Sequence, residues 1–126
     1  SDLRMLTVLL VDDVTSNLQV MEAMMKKIGC KCVAVHSGKE ALEELETFTP
    51  DFVFTDIWMP DMSGAELASR IRSTPACAST KIIAVTADVE LNHNFDSSVF
   101  DSFLFKPVSL DKLKALMRIF PTFCRF

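Results

Sequence analysis

Glycine is scarce in this chain. Only Gly29, Gly38 and Gly64 occur in 126 residues, far apart, so there is no glycine-rich loop to cradle a phosphate and a nucleotide-binding domain is disfavoured. Positive charge is short as well. The 13 Lys and Arg are outnumbered by 17 Asp and Glu, and a net charge of −4 argues against a general grip on nucleic acid. No apolar run approaches the ~20 residues of a membrane span, and no signal peptide opens the chain. The expectation is a soluble, cytoplasmic piece with no membrane segment, and Ser1 without a Met before it reads as a trimmed or tagged start. Among the four cysteines, Cys30, Cys32, Cys77 and Cys124, there is no CxxC and no zinc-ligand pairing with His36 or His93. Cys30 and Cys32 flank a single residue, too close for a normal disulfide, and buried thiols in a reducing compartment are the expectation.

What the chain does have is apolar residues, 49% of the total, enough for one domain with a sizeable core and too short for two. They fall in short runs, each ending in polar residues. Met5 to Val11 ends at Asp12-Asp13, and Lys31 to Val35 is a second run. Phe52 to Asp56 is a third, Lys81 to Val85 a fourth that ends at Thr86-Ala87-Asp88, and Phe103 to Phe105 a fifth that ends at Lys106-Pro107. Runs of this length read as buried strands. Between them lie helical patterns. Val14, Leu18, Met21, Met25 and Ile28 form one stripe, with Thr15 or Ser16 as cap and Gly29 as stop. Ser37 with Glu40, and Ser63 with Glu66, are capping boxes. The first opens a helix expected to carry Ala41, Leu42, Leu45 and Phe48 inward until Pro50, and the second a helix with Leu67 and Ile71 that stops before Pro75. Ser109 caps a last helix with Leu110, Leu113, Met117 and Phe120 on one side, ended by Pro121. Residues 88–102 fit poorly, because Asn, Asp and Ser dilute the apolar stripe, and a fourth helix there is expected to be short or irregular.

Strand and helix alternate five times, which implies a doubly wound α/β fold with a five-stranded parallel sheet and helices on both faces. Ligands bind such sheets at the carboxyl edge of the strands. Asp12 and Asp13, Asp56, Thr86 and Lys106 all belong to that edge. A lone Asp at a strand end is more often a turn residue or a cap; their joint placement with Thr86 and Lys106 overturns that prior. Clustered carboxylates repel, and hard oxygen ligands with room for water suit Mg²⁺. A carboxylate beside Mg²⁺ is competent as a nucleophile towards a phosphoryl group, and Lys106 and the metal would neutralise the oxygens in transfer.

With Asp12-Asp13, Asp56, the loop Met59-Pro60-x-Met62-x-Gly64, Thr86-Ala87 and Lys106-Pro107 in this order and spacing, the chain resembles a response-regulator receiver domain of two-component signalling. The match covers nearly the whole chain. It implies a flavodoxin-like (βα)5 fold with strand order 2-1-3-4-5. It implies that Asp56 accepts a phosphoryl group from a phosphohistidine, on a histidine kinase or a histidine phosphotransfer domain. Asp13 and Asp56 would bind Mg²⁺ directly with the backbone carbonyl of Trp58, and Asp12 largely through water. Lys106 would pair with Asp56 and then with the phosphoryl group, Thr86 would swing towards it, and Phe103 would turn inward behind. The Lys106-Pro107 bond is expected to be cis. Trp58 and Asp88, two residues after Asp56 and Thr86, and Ala87 beside them, occupy tuning positions, and the bulk of Trp58 is expected to hinder the water that would hydrolyse the acyl phosphate. The family dephosphorylates itself and its members pair through the fourth helix, fifth strand and fifth helix, so a homodimer is a further expectation; the polar stretch 88–102 falls on that face.

Residues 1–120 are thus expected to form the receiver domain and 121–126 a tail, or the start of a linker to a further domain. The loop from Asp56 to Glu66, with Ile71-Arg72 after it, is similar to receivers fused to hybrid sensor kinases, in which case the partners include other domains of the same polypeptide. Two readings compete. A pseudo-receiver would bind a protein without phosphorylation, against which the complete acidic set and Lys106 argue. A hydrolase of the haloacid dehalogenase type needs a second acid two residues after its nucleophile, where this chain has Trp58.

Overall fold

The computed structural model describes residues 5–87 and 96–120. Five strands, β1 (Thr7–Val11), β2 (Lys31–Val35), β3 (Phe52–Asp56), β4 (Lys81–Thr86) and β5 (Ser102–Phe105), form one sheet in the order β2-β1-β3-β4-β5. Every neighbouring pair is parallel, with Leu10 opposite Phe54 and Asp56 opposite Val85. The helices among the described residues are α1 (Thr15–Ile28), α2 (Gly38–Glu44), α3 (Gly64–Arg72) and α4 (Leu110–Met117).

Side chains alternate along a strand, so each strand feeds two cores. Val8 and Leu10, Phe52 and Phe54, and Ile83 and Val85 pack with Leu18, Met21 and Met25 of α1 and with Leu113, Leu116 and Met117 of α4. Leu9 and Val11, Val53, and Ile82 and Ala84 pack on the opposite face with Ala41 of α2 and with Leu67, Ala68 and Ile71 of α3. Both faces are covered, which is why the strands read as unbroken apolar runs. Full burial of one such side chain stabilises by roughly 1.5–3 kcal/mol before entropy is set against it.

Local chemistry marks most helix ends. Gly29 takes the left-handed conformation at φ 97°, and its N–H bonds to the carbonyls of Met25 and Lys26. Ser37, Ser63 and Ser109 each accept a hydrogen bond from the amide three residues on. The reciprocal half of the boxes differs from expectation. Glu40 reaches back to the amide of His36, and Glu66 instead pairs with Arg70 one turn along α3. Neither Thr15 nor Ser16 caps α1: Val14 is the cap residue, has no side-chain bond, and is exposed rather than part of the buried stripe. The expected run of α2 to Phe48 is also too long. It closes at Glu44, whose carbonyl takes both the amide and the hydroxyl of Thr47, tightening the last turn. Between β4 and β5 the described residues hold a single 3-10 turn, Ser97–Val99, and the core of the expected fourth helix, 88–95, lies outside them.

Candidate functional site

Asp56 ends β3 and is half-buried at the carboxyl edge of the sheet. Its Oδ1 accepts the amide of Ile57 at 2.9 Å. Asp12 and Asp13 follow β1, the next strand over, and oxygens from all three carboxylates lie within 4.8 Å of one another. Asp12 is buried, and its two oxygens are fixed from below: Oδ1 accepts the amide of Val14 at 2.9 Å, and Oδ2 accepts the side-chain amide of Asn17 at 3.1 Å. Asp13 is exposed. Burial raises the Asp56 carboxyl above its ordinary value; the Lys106 ammonium pulls it down, Asp12 pushes it up, the Ile57 amide lowers it and Asp13 raises it. Among the described residues three carboxylates thus share the crevice with the Lys106 ammonium, and such an all-oxygen donor set fits a hard divalent ion such as Mg²⁺.

Lys106 reaches the crevice from the end of β5. Its ammonium lies 3.7 Å from Asp12 Oδ2, so its ion pair is with Asp12 and not, as expected, with Asp56. Asp12 is the more deeply buried of the two acids. The Lys106-Pro107 peptide is cis, and the loop it starts is pinned where Lys112 Nζ donates to the carbonyl of Pro107 at 2.9 Å. Thr86, fully buried at the end of β4, accepts the Lys106 amide at its own carbonyl at 2.9 Å. Between α1 and the β5–α4 loop opens a cleft of about 190 Å³ whose lining includes Asp12, Val20, Lys106 and Pro107.

A family match accounts for this arrangement: residues 8–118 fit the response regulator receiver domain. The chain belongs to that family. The receiver is 34% identical over 117 residues to the sensor histidine kinase AtsR of Burkholderia thailandensis, covering 90% of this chain and 19% of that protein. It is also 34% identical over 123 residues to hybrid signal transduction histidine kinase L of Dictyostelium discoideum, covering 88% of this chain and 7% of that one. The chain therefore spans a small fraction of these relatives. Among solved structures, response regulator protein TrrA of Thermotoga maritima, determined in complex with Mg²⁺ and BeF, aligns with a TM-score of 0.82 at 29% identity, over 91% of this chain and 98% of that one. This chain is a receiver domain of two-component signalling, and among its described residues no helix is long and apolar enough to cross a membrane.

Phe103 is half-buried on β5, in edge contact with Phe100 and stacked on Phe105 at centroid distances of 5.4 and 6.3 Å. Trp58 is 52% exposed and Ala87 is exposed, while Asp88 and His93 lie outside the described residues. His36 is exposed, 3.4 Å from the Thr15 hydroxyl and 3.9 Å from the Glu40 carboxylate. Cys30 and Cys32 are free thiols, pushed up by burial to about 11 and about 12, and Cys77 is free and buried.

Gly64, already part of the loop motif, and Asn17, which no motif named, hold the site without chemistry of their own. A Cβ at Gly64 would stand 2.2 Å from the carbonyl oxygen of Asp56, so α3 can begin this close to the acid only on a glycine. The Gly64 amide donates to Ile57 O at 2.7 Å and closes the loop on the strand. Asn17, five residues after Asp12, orients that carboxylate; its place in the first turn of α1 is the one signal that could have found it.

Proposed function

We propose that this receiver accepts a phosphoryl group on Asp56 from a phosphohistidine of a kinase or phosphotransfer partner, with Mg²⁺ as cofactor. The observation that carries the reading is the approach of three carboxylates from two strands within 4.8 Å, with the Lys106 ammonium 3.7 Å from one of them. Asp13, Asp56 and the Trp58 carbonyl would hold the ion directly, and Asp12 through water. Bound there, Mg²⁺ would neutralise phosphoryl oxygens and lower the repulsion that an anionic acceptor presents. An oxygen of Asp56 attacks phosphorus in line, the P–N bond breaks, and its electron pair returns to the imidazole nitrogen. The partner's histidine enters from the cleft beside Lys106, whose ammonium moves from Asp12 to the transferred group.

The same crevice then serves as a switch. Thr86 turns its hydroxyl towards the new phosphoryl oxygens, and Phe103 follows inward from its place beside Phe100 and Phe105. Water in line with the acyl phosphate reverses the state. Trp58, exposed beside the acceptor, screens that water, so Trp58→Ala should shorten the acyl-phosphate lifetime several-fold; an unchanged decay rate would remove this role. Free thiols at Cys30, Cys32 and Cys77 accord with a cytoplasmic setting.

Trp58 is the only tryptophan and reports the test. Mg²⁺ and then beryllofluoride, a phosphoryl mimic, are titrated against its fluorescence. A saturable response to Mg²⁺, and a second change that Asp56→Asn abolishes, is the expected result. A folded protein that answers neither titrant is not a phosphoacceptor.

A further inference from the structure

The turn between β2 and α2 carries none of the clustered acids, yet it touches both loops that do. On one side the Asp12 amide donates to Val35 O at 3.2 Å, and the Thr15 hydroxyl meets the His36 ring at 3.4 Å. On the other side Asp61 extends from the β3–α3 loop, five residues beyond Asp56. The Gly38 amide donates to its Oδ1 at 3.3 Å and the Lys39 amide to its Oδ2 at 2.9 Å. These are opening amides of α2, which have no partner inside the helix. The bonds, that of Lys39 foremost, hold the Asp61 carboxyl below its ordinary value. Met62 fits against the same turn so closely that a Cβ at Gly38 would fall 2.4 Å from its Cγ.

The helix does not need Asp61 in order to start. Ser37 already caps it by accepting the Glu40 amide at 3.1 Å. A second cap supplied by a different loop adds little to α2 and restrains that loop, which is closed at its far end by the Gly64–Ile57 bond.

We propose that Asp61 is a positioning residue of the phosphorylation site: by bonding the first amides of α2 it fixes the Trp58–Ser63 loop, and with it the Trp58 carbonyl, against the Asp12–Asp13 loop held by the same turn. The inference rests on the reading of Asp12, Asp13, Asp56 and Trp58 as a divalent-cation site. It makes the β2–α2 turn a brace between two ligand-bearing loops, and it gives a purely backbone-directed carboxylate a role in metal affinity.

Mg²⁺ affinity of the whole chain is measured by Trp58 fluorescence and independently by magnesium NMR, in the wild type, Asp61→Ala, Asp61→Asn and Ser37→Ala. Hydrogen exchange at Gly38 and Lys39 reports whether the brace is open. Asp61→Ala should weaken Mg²⁺ binding about tenfold, the low end of effects from residues that orient metal ligands. Asp61→Asn retains one carbonyl acceptor and should recover part of that loss. Ser37→Ala loosens α2 without touching the loop and should bind Mg²⁺ as the wild type does. Unchanged affinity in Asp61→Ala, with faster exchange at Gly38 and Lys39, overturns the proposal, as does an equal loss in Ser37→Ala, which would assign the effect to the helix. A wild type that binds no Mg²⁺ overturns the cation site itself, and the brace with it.

Discussion

Asp56 is ionised at a cost to the fold. Burial lifts its carboxyl above the ordinary 3.8, helped by Asp12 and Asp13 and opposed by Lys106 and the Ile57 amide. The folded value then exceeds the unfolded one, so the folded chain binds the proton more tightly. Stability from this residue is present in acid and declines as pH rises from the unfolded value through the folded one. Asp56→Asn removes the charge and keeps the shape. It should stabilise the metal-free protein at pH 7 by on the order of 1 kcal/mol, a rise of a few degrees in Tm, and the advantage should shrink towards zero below pH 3.8. Thermal melts of both proteins across that range decide it, and a gap that ignores pH would place the effect elsewhere. Gly64 is held by a different constraint. An added Cβ would meet the Asp56 carbonyl at 2.2 Å and the Ile57 Cα at 3.0 Å, both backbone, so neither can swing aside. At Gly38 its nearest neighbours would be Cγ, Sδ and Cε of Met62, a side chain that can rotate away. Gly64→Ala should therefore cost about 3 kcal/mol and Gly38→Ala about 1 kcal/mol in urea denaturation. Reversal of that order would mean that α3 can draw away from the strand.

Elements are joined here by groups that pattern reading does not reach. Arg72 ends α3 and spends its guanidinium on three acceptors: the carbonyl of Val99 at 3.1 Å, that of Thr80 at 3.1 Å, and the carboxylate of Asp101. Asp101 in turn accepts the Ile82 amide at 2.7 Å. One helix end thus anchors the entry to β5, the strand that leads to Lys106. Arg72→Met should cost about 2 kcal/mol, since it strands partly buried acceptors. With Asp101→Asn it should show a coupling of about 1 kcal/mol in a double-mutant cycle, while simple additivity would deny that the pair acts as a unit. The contrast with the strands is instructive. All five strands were legible because burial on both faces writes them as apolar runs, and the edge residues were legible because four of the five runs, all but Lys31–Val35, end in one. Ser37, Ser63 and Ser109 were legible because a cap and its target lie three residues apart. Asp61 on α2, Lys106 on Asp12 and Arg72 on Asp101 join residues 22, 94 and 29 positions apart. No local pattern encodes such pairs; the packing of finished elements does. Val14 as the cap of α1 was missed for a related reason, because Asp12 takes the Val14 amide and the helix starts without a hydroxyl.

At the scale of the molecule, folding itself assembles a repulsion that a bound cation would relieve. β1 and β3 are neighbours in the sheet though 40 residues of chain separate Val11 from Phe52, and their carboxyl ends bring Asp12, Asp13 and Asp56 together only in the finished domain. The unfolded chain has no such cluster. A cation that binds the folded state alone stabilises it by RT ln(1 + [L]/Kd), about 2.7 kcal/mol at a hundredfold excess over Kd. Mg²⁺ should therefore raise Tm in proportion to the logarithm of its concentration, and potassium chloride at equal ionic strength should not. Asp13→Asn should flatten the response. Asp56→Asn should begin from a higher Tm without metal and gain less from it, so the wild-type curve should climb towards the variant's as Mg²⁺ rises. That convergence would mean that the charge that weakens the metal-free fold is the charge that binds the ion. Parallel curves would separate them, and would mean that Asp56 contributes repulsion to the crevice without contributing affinity.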